Sequence, residues 1–175
     1  MKVAFLDRDG TIVRDYPDDE WKRKTVPEVL DGAIEGMQLL NQLGYAIIIV
    51  TNQYIINDGI IALDEYKSFT KNLEKVFDDN GVKVLDIFFC PHTSTEKCEC
   101  KKPKTGMIRS ALTQYPLIDL ENAIVIGDSL SDEELAINMN LTFFRVSNGL
   151  NESNGTYKSI IEVAKSILYS NQHIK

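Results

Sequence analysis

Short apolar runs alternate with amphipathic segments along most of the chain, and this alternation constrains the fold more than any other feature of the sequence. The apolar runs have the length and the β-branched content of strands that are buried on both faces. Strands and helices that alternate at least four times predict an α/β fold with a parallel sheet and right-handed crossovers. The predicted strands are Val3–Leu6, Ala46–Val50, Leu85–Phe89, Ala123–Ile126 and Thr142–Val146.

Five helices are predicted between and after these strands. The first opens at Pro27 and Glu28, because proline suits a first helical turn and glutamate suits its positive end, and it ends at Gly44. The others are Leu63–Phe77, a helix that begins with Met107–Leu112, Glu133–Met139 and Thr156–Tyr169. The polar segments 10–27 and 147–155 are predicted to be irregular, and residues 10–27 are called the flap below.

The length of 175 residues predicts a single domain that spans residues 1–175. Apolar and charged fractions of 43% and 26% are those of a globular protein. The longest aliphatic run, Ala46–Val50, is far shorter than the roughly 18 residues of a membrane span. Because the apolar run at Val3–Leu6 stops at Asp7, a secretory signal is not expected. We therefore expect a cytoplasmic protein without membrane contacts, and we expect it to be a monomer.

The charge balance limits the partners. Nineteen lysines and arginines face 26 aspartates and glutamates, which gives a net charge of −7. Such a field repels polyanions, so nucleic acid is not expected as a partner. A small anionic substrate stays possible, because one metal ion and one or two lysines can reverse the potential locally.

Polar and acidic side chains stand where the predicted strands end, and the working site of a parallel sheet lies beyond those ends. Several carboxylates that converge there would repel one another unless a hard divalent cation, most often Mg²⁺, binds between them. Asp128 or Asp132 taken alone fits a helix N-cap or a turn equally well, but the full set favours a metal site. The residues are Asp7 and Asp9 after the first strand, Thr51 after the second, Cys90 after the third and Asp128, with Asp132, after the fourth.

All three cysteines and one of the two histidines lie close together in the chain. Their odd number argues against a disulfide framework, whereas three thiolates and one imidazole suit a closed tetrahedral Zn²⁺ site. A closed site predicts a structural zinc that ties down the loop 90–102, called the zinc loop below. Unrelated thiols with a surface histidine, or a nucleic-acid-binding zinc ribbon, are the alternatives, and the acidic charge argues against the ribbon. The predicted ligands are Cys90, His92, Cys98 and Cys100.

In order along the chain, four motifs resemble those of the haloacid dehalogenase (HAD) superfamily of phosphohydrolases. Each motif is weak alone, but the ordered set is specific. The resemblance implies a Rossmann-like three-layer fold with a mostly parallel central sheet. We see no insertion large enough for a cap domain, so an open site walled by the flap and the zinc loop is expected. The motifs are Asp7-Arg8-Asp9-Gly10-Thr11, Thr51, Lys102 and Gly127-Asp128 with Asp132.

The resemblance also implies roles for these residues. Asp7 would attack phosphorus and form an aspartyl-phosphate, and Asp9 would protonate the leaving oxygen and then deprotonate the attacking water. Thr51 and Lys102 would hold the phosphoryl oxygens, although a lysine such as Lys102 could also be an ordinary surface residue. Mg²⁺ would bind the side chains of Asp7 and Asp128 and the backbone carbonyl of Asp9.

Asp132 has a different implied role from the other acidic residues of the motifs. It would orient Lys102 or a metal-bound water rather than bind the metal directly. The run from Cys90 to Met107 is similar to one group inside the superfamily, which contains D-glycero-D-manno-heptose 1,7-bisphosphate phosphatase and histidinol-phosphate phosphatase. The five-residue gap between His92 and Cys98 resembles the second enzyme, whereas Gly106-Met107 and the stretch from Thr51 to Gly59 resemble the first.

Asn52, Gln53, Lys101 and Ser129 are implied to contact the substrate. Lys101 stands where this group usually has arginine, and Ser129 stands where the heptose enzymes have lysine and many histidinol-phosphate enzymes have arginine. Tyr54-Ile55 replaces a small Ser-Gly pair, which makes the rim bulkier and more apolar. A second substrate phosphate is therefore held differently or is absent.

These observations predict a Mg²⁺-dependent phosphomonoesterase of carbohydrate metabolism, with a small phosphorylated metabolite as its substrate. A sugar phosphate or bisphosphate of the heptose type is favoured, and histidinol phosphate is the alternative. A polynucleotide 3′-phosphatase and an inactive, zinc-stabilised interaction module are further alternatives. The flap residues Tyr16, Trp21 and Lys22 could contact substrate or simply pack the flap.

Overall fold

The computed structural model describes residues 1–147 and 155–172. Its central element is a six-stranded sheet in which every pair of neighbours is parallel, with the strand order β3-β2-β1-β4-β5-β6. The strands are β1 Val3–Leu6, β2 Ala46–Asn52, β3 Val84–Cys90, β4 Ile124–Gly127, β5 Thr142–Val146 and β6 Thr156–Tyr157. The helices are α1 Asp18–Trp21, α2 Ala33–Gln42, α3 Leu63–Asp79, α4 Gly106–Gln114, α5 Leu130–Met139 and α6 Ile160–Gln172.

Alternate residues of the inner strands pack into two separate apolar clusters, one on each face of the sheet. Ala4 and Leu6 of β1 face the cluster that contains α2, α3 and α6. Val3 and Phe5 of the same strand face the cluster that contains α4 and α5. This alternation is the two-residue period of a strand, and it produces three layers with helices outside and the sheet between them. The predicted α/β fold is confirmed.

The flap carries only the single turn α1, and the connection from β2 to β3 carries only α3. Within the described residues there is consequently no separate cap domain, as predicted. The same part of the chain contains no helix that is long and apolar enough to cross a membrane. A single domain over residues 1–175 stays a prediction.

The first predicted helix begins later than expected. The prediction of a start at Pro27 and Glu28 is wrong, because α2 begins at Ala33. The backbone before it is held extended against the flap: Val13 forms an antiparallel bridge with Val29, and the Arg14 N–H donates to the Glu28 carbonyl at 2.8 Å. Pairing with a distant segment therefore overrides the local helix signal.

The last helix begins later than predicted. Thr156 and Tyr157 form β6, which pairs with Arg145 and Val146 at the edge of the sheet, and α6 begins only at Ile160. Threonine and tyrosine favour strands, and the free edge of β5 supplies the partner. Most of the predicted loop 147–155 lies outside the described residues.

We expect Gly36→Ala to destabilise the protein by about 1–3 kcal/mol, since a Cβ atom there would lie 2.5 Å from the backbone of Ile160 and Ile161. Helix propensity alone predicts the opposite sign, by roughly 1 kcal/mol in favour of alanine. Urea unfolding measures the difference. Glu35→Ala, at the exposed neighbouring position, is the control and should change stability by less than about 0.5 kcal/mol. A stabilised Gly36→Ala protein would show that α2 and α6 are not closely packed.

Candidate active site

The carboxyl ends of the inner strands meet at one cavity of about 240 Å³. Asp7 follows β1 directly, Thr51 lies near the end of β2, and Asp128 follows β4. Lys102 reaches the same cavity from the zinc loop after β3. Residues from four separate parts of the chain therefore line one space, because parallel strands deliver their ends to the same edge of the sheet.

Lys102 lies at the centre of this group. Its Nζ donates to Asp7 Oδ1 and, at 2.7 Å, to Asp132 Oδ1. The side chain is only 2% exposed, so the alternative of an ordinary surface lysine is wrong. Burial alone would lower the pKa of Lys102, but the two carboxylates outweigh it and raise the pKa, so the ammonium is charged.

The backbone of Lys102 is fixed as well as its side chain. The Lys102 N–H donates to Asn52 Oδ1 at 2.9 Å, and Asn52 Nδ2 donates back to the Lys102 carbonyl at 3.2 Å. This reciprocal pair joins the zinc loop to the end of β2. Asn52, which we predicted to contact substrate, thus uses both its amide nitrogen and its amide oxygen to position Lys102; it also lines the cavity, and its substrate contact stays a prediction.

Asp132 accepts three hydrogen bonds from protein groups. Besides Lys102, it accepts the Ser129 N–H at 3.1 Å and the Ser129 hydroxyl at 2.6 Å, both on Oδ2. A Cβ atom at Gly127 would lie 2.4 Å from Asp132 Cγ, so this packing requires glycine there. The geometry supports a role for Asp132 in orienting Lys102, and Ser129 serves first to hold Asp132.

Asp9 and Gln53 form a second buried network next to the first. Gln53 Nε2 donates to Asp9 Oδ2 at 2.6 Å and to Thr51 Oγ1 at 2.8 Å. Arg8 donates to both oxygens of the same carboxylate, through Nε at 2.8 Å and Nη2 at 2.9 Å. Gln53, another predicted substrate contact, therefore holds two of the proposed catalytic side chains.

The acidic residues around the cavity have the donor chemistry of a site for a hard divalent cation. Carboxylate oxygens of Asp7, Asp128 and Asp132 lie within 4.8 Å of one another. Burial raises the pKa of Asp7 well above its usual range and raises the pKa of Asp128 to about 6, with neighbouring carboxylates adding to both. Since Lys102 is the only cation that donates to these carboxylates among the described residues, a bound cation would relieve the repulsion. Asp7 and Asp128, which each accept one hydrogen bond, would have oxygen positions left for it, whereas Asp132 already accepts three hydrogen bonds.

Gly10 allows the two halves of this site to approach each other. Its φ is +81°, and a Cβ atom there would lie 2.2 Å from Asp128 Oδ2. The Thr11 hydroxyl donates weakly to Asp128 Oδ1 at 3.4 Å from the same turn. The first motif thus needs glycine both for its backbone angle and for the space that the Asp128 carboxylate fills.

The cysteine and histidine cluster is assembled as predicted from its spacing. Cys100 Sγ lies 3.1 Å from both Cys90 Sγ and His92 Nδ1, and Cys98 Sγ lies 3.8 Å from Cys90 Sγ. A tetrahedral Zn²⁺ with Zn–S bonds of about 2.3 Å requires ligand separations of roughly 3–4 Å. All three cysteines are free of disulfides. The four ligand atoms fit a structural zinc ion.

The flap and the turn after β2 form the rim of the cavity. Tyr54 donates to Asp18 Oδ1 at 2.9 Å across the rim, and Lys101 Nζ lies 5.0 Å from the Tyr54 ring centroid. Tyr16 and Trp21 are buried and line the cavity, while Lys22 lines a neighbouring cavity instead. Lys101 does not line the cavity, so its predicted contact with substrate would be made at the rim.

Two features of the site were missed by sequence reasoning. Arg8 was quoted only as part of a motif, although it is buried and holds Asp9. Asp15 and Asp18 place acidic groups on the flap side of the cavity, and burial raises the pKa of Asp15. The sequence shows that the flap is rich in acidic residues, but it does not show that two of them line the cavity.

Comparisons with known proteins agree with this fold. The matched proteins define the class of this chain, which is that of the HAD phosphatases. The structure matches that of D,D-heptose 1,7-bisphosphate phosphatase from B. bronchiseptica, which was solved with magnesium and phosphate. The TM-score is 0.81 at 25% identity, and the match covers 97% of this chain and 99% of that one.

Residues 2–147 match the family described as polynucleotide kinase 3 phosphatase, and the chain belongs to this family of HAD phosphatases. A probable D-glycero-D-manno-heptose-1,7-bisphosphate 7-phosphatase of Thermoplasma acidophilum is 38% identical over 84% of this chain and 91% of that protein. The histidine biosynthesis bifunctional protein HisB of Legionella pneumophila is 31% identical over 83% of this chain but only 41% of its own length. The predicted superfamily and the class of phosphoric monoester hydrolase are confirmed.

Removal of zinc should lower both stability and turnover. Without the metal, the zinc loop no longer fixes Lys102, so we expect the melting temperature to fall by at least about 4 °C, which at this chain length is roughly 1–2 kcal/mol. Calorimetry and steady-state kinetics after chelation and restoration of Mg²⁺ measure the two effects. Unchanged stability and activity after complete removal would refute a structural zinc.

In the presence of a metal chelator, the free energy of unfolding should fall as the pH rises from the ordinary pKa of aspartate towards neutrality. The pKa of Asp128 is raised from 3.8 to about 6 in the folded chain, so between these values the folded state binds more protons than the unfolded state. Thermal unfolding at steps from about pH 4 to about pH 7 measures the slope. Asp128→Asn should make the slope shallower, and an identical slope in both proteins contradicts the assignment.

Proposed function

We propose that this chain is a Mg²⁺-dependent phosphomonoesterase that hydrolyses a sugar phosphate or bisphosphate of the heptose type through an aspartyl-phosphate on Asp7. The observation that carries the proposal is the placement of Asp7, Thr51 and Lys102 around one cavity at the carboxyl edge of the sheet. Relatives described as heptose-1,7-bisphosphate 7-phosphatases, at 33–38% identity, support the substrate class.

The first half of the reaction forms the covalent intermediate. An Asp7 carboxylate oxygen bonds to phosphorus, the bond from phosphorus to the ester oxygen breaks, and the proton of Asp9 moves to that leaving oxygen. Lys102 and Thr51 bind the other phosphoryl oxygens, where negative charge is spread in the transition state. Because the Lys102 ammonium already contacts Asp7, it lies next to the phosphoryl group as soon as substrate binds.

The second half reaction releases phosphate. Water attacks phosphorus, the bond from phosphorus to the Asp7 oxygen breaks, and the ionised Asp9 takes the proton of the water. The products are inorganic phosphate, the alcohol released earlier and a regenerated Asp7 carboxylate. Asp9 thus returns to its protonated state, and each residue is ready for another cycle.

Asp7, Asp128 and the backbone carbonyl of Asp9 would hold the Mg²⁺ ion. When bound, this ion supplies positive charge that neutralises substrate oxygens and offsets the repulsion between the carboxylates. The zinc ion would be structural, since Cys90, His92, Cys98 and Cys100 complete its coordination.

Histidinol phosphate is the second candidate substrate, and the flap provides the observation that favours it. Asp15 and Asp18 line the cavity, and they would attract an ammonium group better than a second phosphate. Lys101 alone would face a second phosphate at the rim, without the planar guanidinium fork of an arginine. A polynucleotide is disfavoured by the same acidic flap and by the net charge of −7.

Asp7→Asn should abolish turnover without unfolding the protein. The amide is isosteric with the carboxylate but is not a nucleophile, so we expect kcat to fall by about 10⁴-fold or more. Circular dichroism and the melting temperature check the fold. Asp31→Asn, at an exposed position outside the site, is the matched control. Full activity of Asp7→Asn would show that another group attacks phosphorus.

A panel of phosphate esters with Mg²⁺ tests the substrate. It compares heptose 1,7-bisphosphate, histidinol phosphate, other sugar phosphates and a 3′-phosphorylated oligonucleotide by kcat/KM, which is the proper measure of specificity. We expect the heptose bisphosphate to exceed the others by at least about tenfold, or 1.4 kcal/mol. A preference for histidinol phosphate would replace the leading substrate with the second candidate and leave the chemistry unchanged.

A further inference from the structure

Arg8 occupies an unusual position for an arginine. It is only 2% exposed and is among the largest fully buried side chains of the described residues, although guanidinium groups seldom leave water. Its guanidinium carbon lies 5.1 Å from the Phe69 ring centroid and 5.4 Å from those of Trp21 and Tyr66. Three aromatic faces thus surround the cation and partly replace its hydration.

This environment holds Arg8 against Asp9. Nε and Nη2 donate to the two oxygens of the carboxylate in a bidentate pair, while Nη1 has no hydrogen-bond partner among the described residues. The fold thus leaves both N–H groups of the buried Nη1 unsatisfied within that part of the chain and keeps the guanidinium where the fork meets Asp9. A salt bridge that served stability alone would not require such an arrangement, because buried unpaired donors are unfavourable.

The hydrogen bonds leave one position of the Asp9 carboxylate open. A carboxylate offers about four acceptor positions, two on each oxygen. Arg8 takes one position on each oxygen, and Gln53 takes the second position on Oδ2. The remaining acceptor position is on Oδ1, so a proton on the Asp9 carboxyl group would be bound there.

We propose that Arg8 is a positioning residue which, together with Gln53, orients the Asp9 carboxyl group so that its Oδ1 delivers the proton to the leaving oxygen. This inference rests on the proposed function, in which Asp9 is the acid. In that step the bond from Asp7 to phosphorus forms, the bond from phosphorus to the ester oxygen breaks, and the Oδ1 proton moves to the released oxygen. Arg8 itself does not line the active-site cavity.

The aromatic side chains connect this orientation to the flap. Trp21 belongs to α1 in the flap and lines the active-site cavity, whereas Tyr66 and Phe69 belong to α3. Phe69 and Arg8 line a separate cavity of about 290 Å³ behind Trp21, so Phe69 does not face the substrate. A change at Phe69 therefore disturbs Arg8 without removing a group from the active-site cavity.

Leaving-group dependence separates positioning of the acid from general structural damage. An alkyl oxygen of a sugar is a strong base and needs the proton in the transition state, whereas p-nitrophenolate is a weak base and leaves without it. For Arg8→Gln we expect kcat/KM to fall by about 10²-fold or more with the best sugar phosphate of the panel, and by less than about tenfold with p-nitrophenyl phosphate. Arg8→Lys keeps the charge but loses the fork, so most of the defect should persist.

Two further variants make the test independent of whether Arg8→Gln folds. Phe69→Leu should show the same selective loss in smaller measure, since it loosens the packing around the guanidinium. Arg14→Gln is the matched control, because it removes an exposed arginine of the flap that pairs with Glu28, and the activity with both substrates should be unaffected. The proposal is overturned if folded Arg8→Gln loses activity equally with the two substrates or loses none. If Arg8→Gln does not fold, the same two outcomes in Phe69→Leu overturn it.

Asp9→Asn, assayed with the same two substrates, distinguishes this inference from the proposed function. If Asp9→Asn shows the selective loss and the Arg8 variants do not, Asp9 is the acid and only the role of Arg8 is wrong. If Asp9→Asn loses both activities equally, the acid assignment itself fails, and the inference about Arg8 fails with it.

Discussion

The buried ammonium of Lys102 between the carboxylates of Asp7 and Asp132 is the contact on which the site depends. An ammonium removed from water is costly unless charged partners replace its hydration, so the chain must bring β1, the zinc loop and α5 together around it. The reciprocal amide pair of Asn52 with the Lys102 backbone has the same consequence, because it restrains the loop that carries the lysine. The cluster of three cysteines and one histidine lies in the same loop and would restrain it further with a metal bound. The fold thus places a cation where a phosphoryl group would need one.

The remaining charges of the cavity follow from this contact. One ammonium faces the three carboxylates of Asp7, Asp128 and Asp132, so negative charge is in excess when they are ionised, and burial raises the pKa of Asp7 and Asp128. A divalent cation offsets that excess, and it also makes the cavity attractive to an anion in a chain of net charge −7. Asp9 has a separate cationic partner, because Arg8 donates to its carboxylate. Two carboxylates two residues apart can therefore have different proposed roles, one as nucleophile and one as acid.

The sequence predicted those parts of the structure that depend on local pattern. Val3–Leu6 is buried throughout and is followed by Asp7, so the apolar run predicted both the strand and the position of the active site. The residue types and their spacing were sufficient to group His92 with the three cysteines as one metal site. Features that depend on distant partners were not predictable. The two residues of β6 form a strand only because the edge of β5 is available for pairing. The burial of Arg8 depends on Trp21 and Phe69, which are distant in the sequence and are brought next to it by the fold.

The covalent intermediate on Asp7 is the central claim of this account, and acid quenching during turnover tests it most directly. Protein mixed with Mg²⁺ and a sugar phosphate, quenched within the first turnovers and digested, should carry a phosphoryl group on the peptide that contains residue 7. Borohydride reduction before digestion should convert that acyl phosphate to homoserine and identify the position. A phosphoryl group on any other residue, or turnover by a wild-type protein that never becomes phosphorylated, would contradict the account.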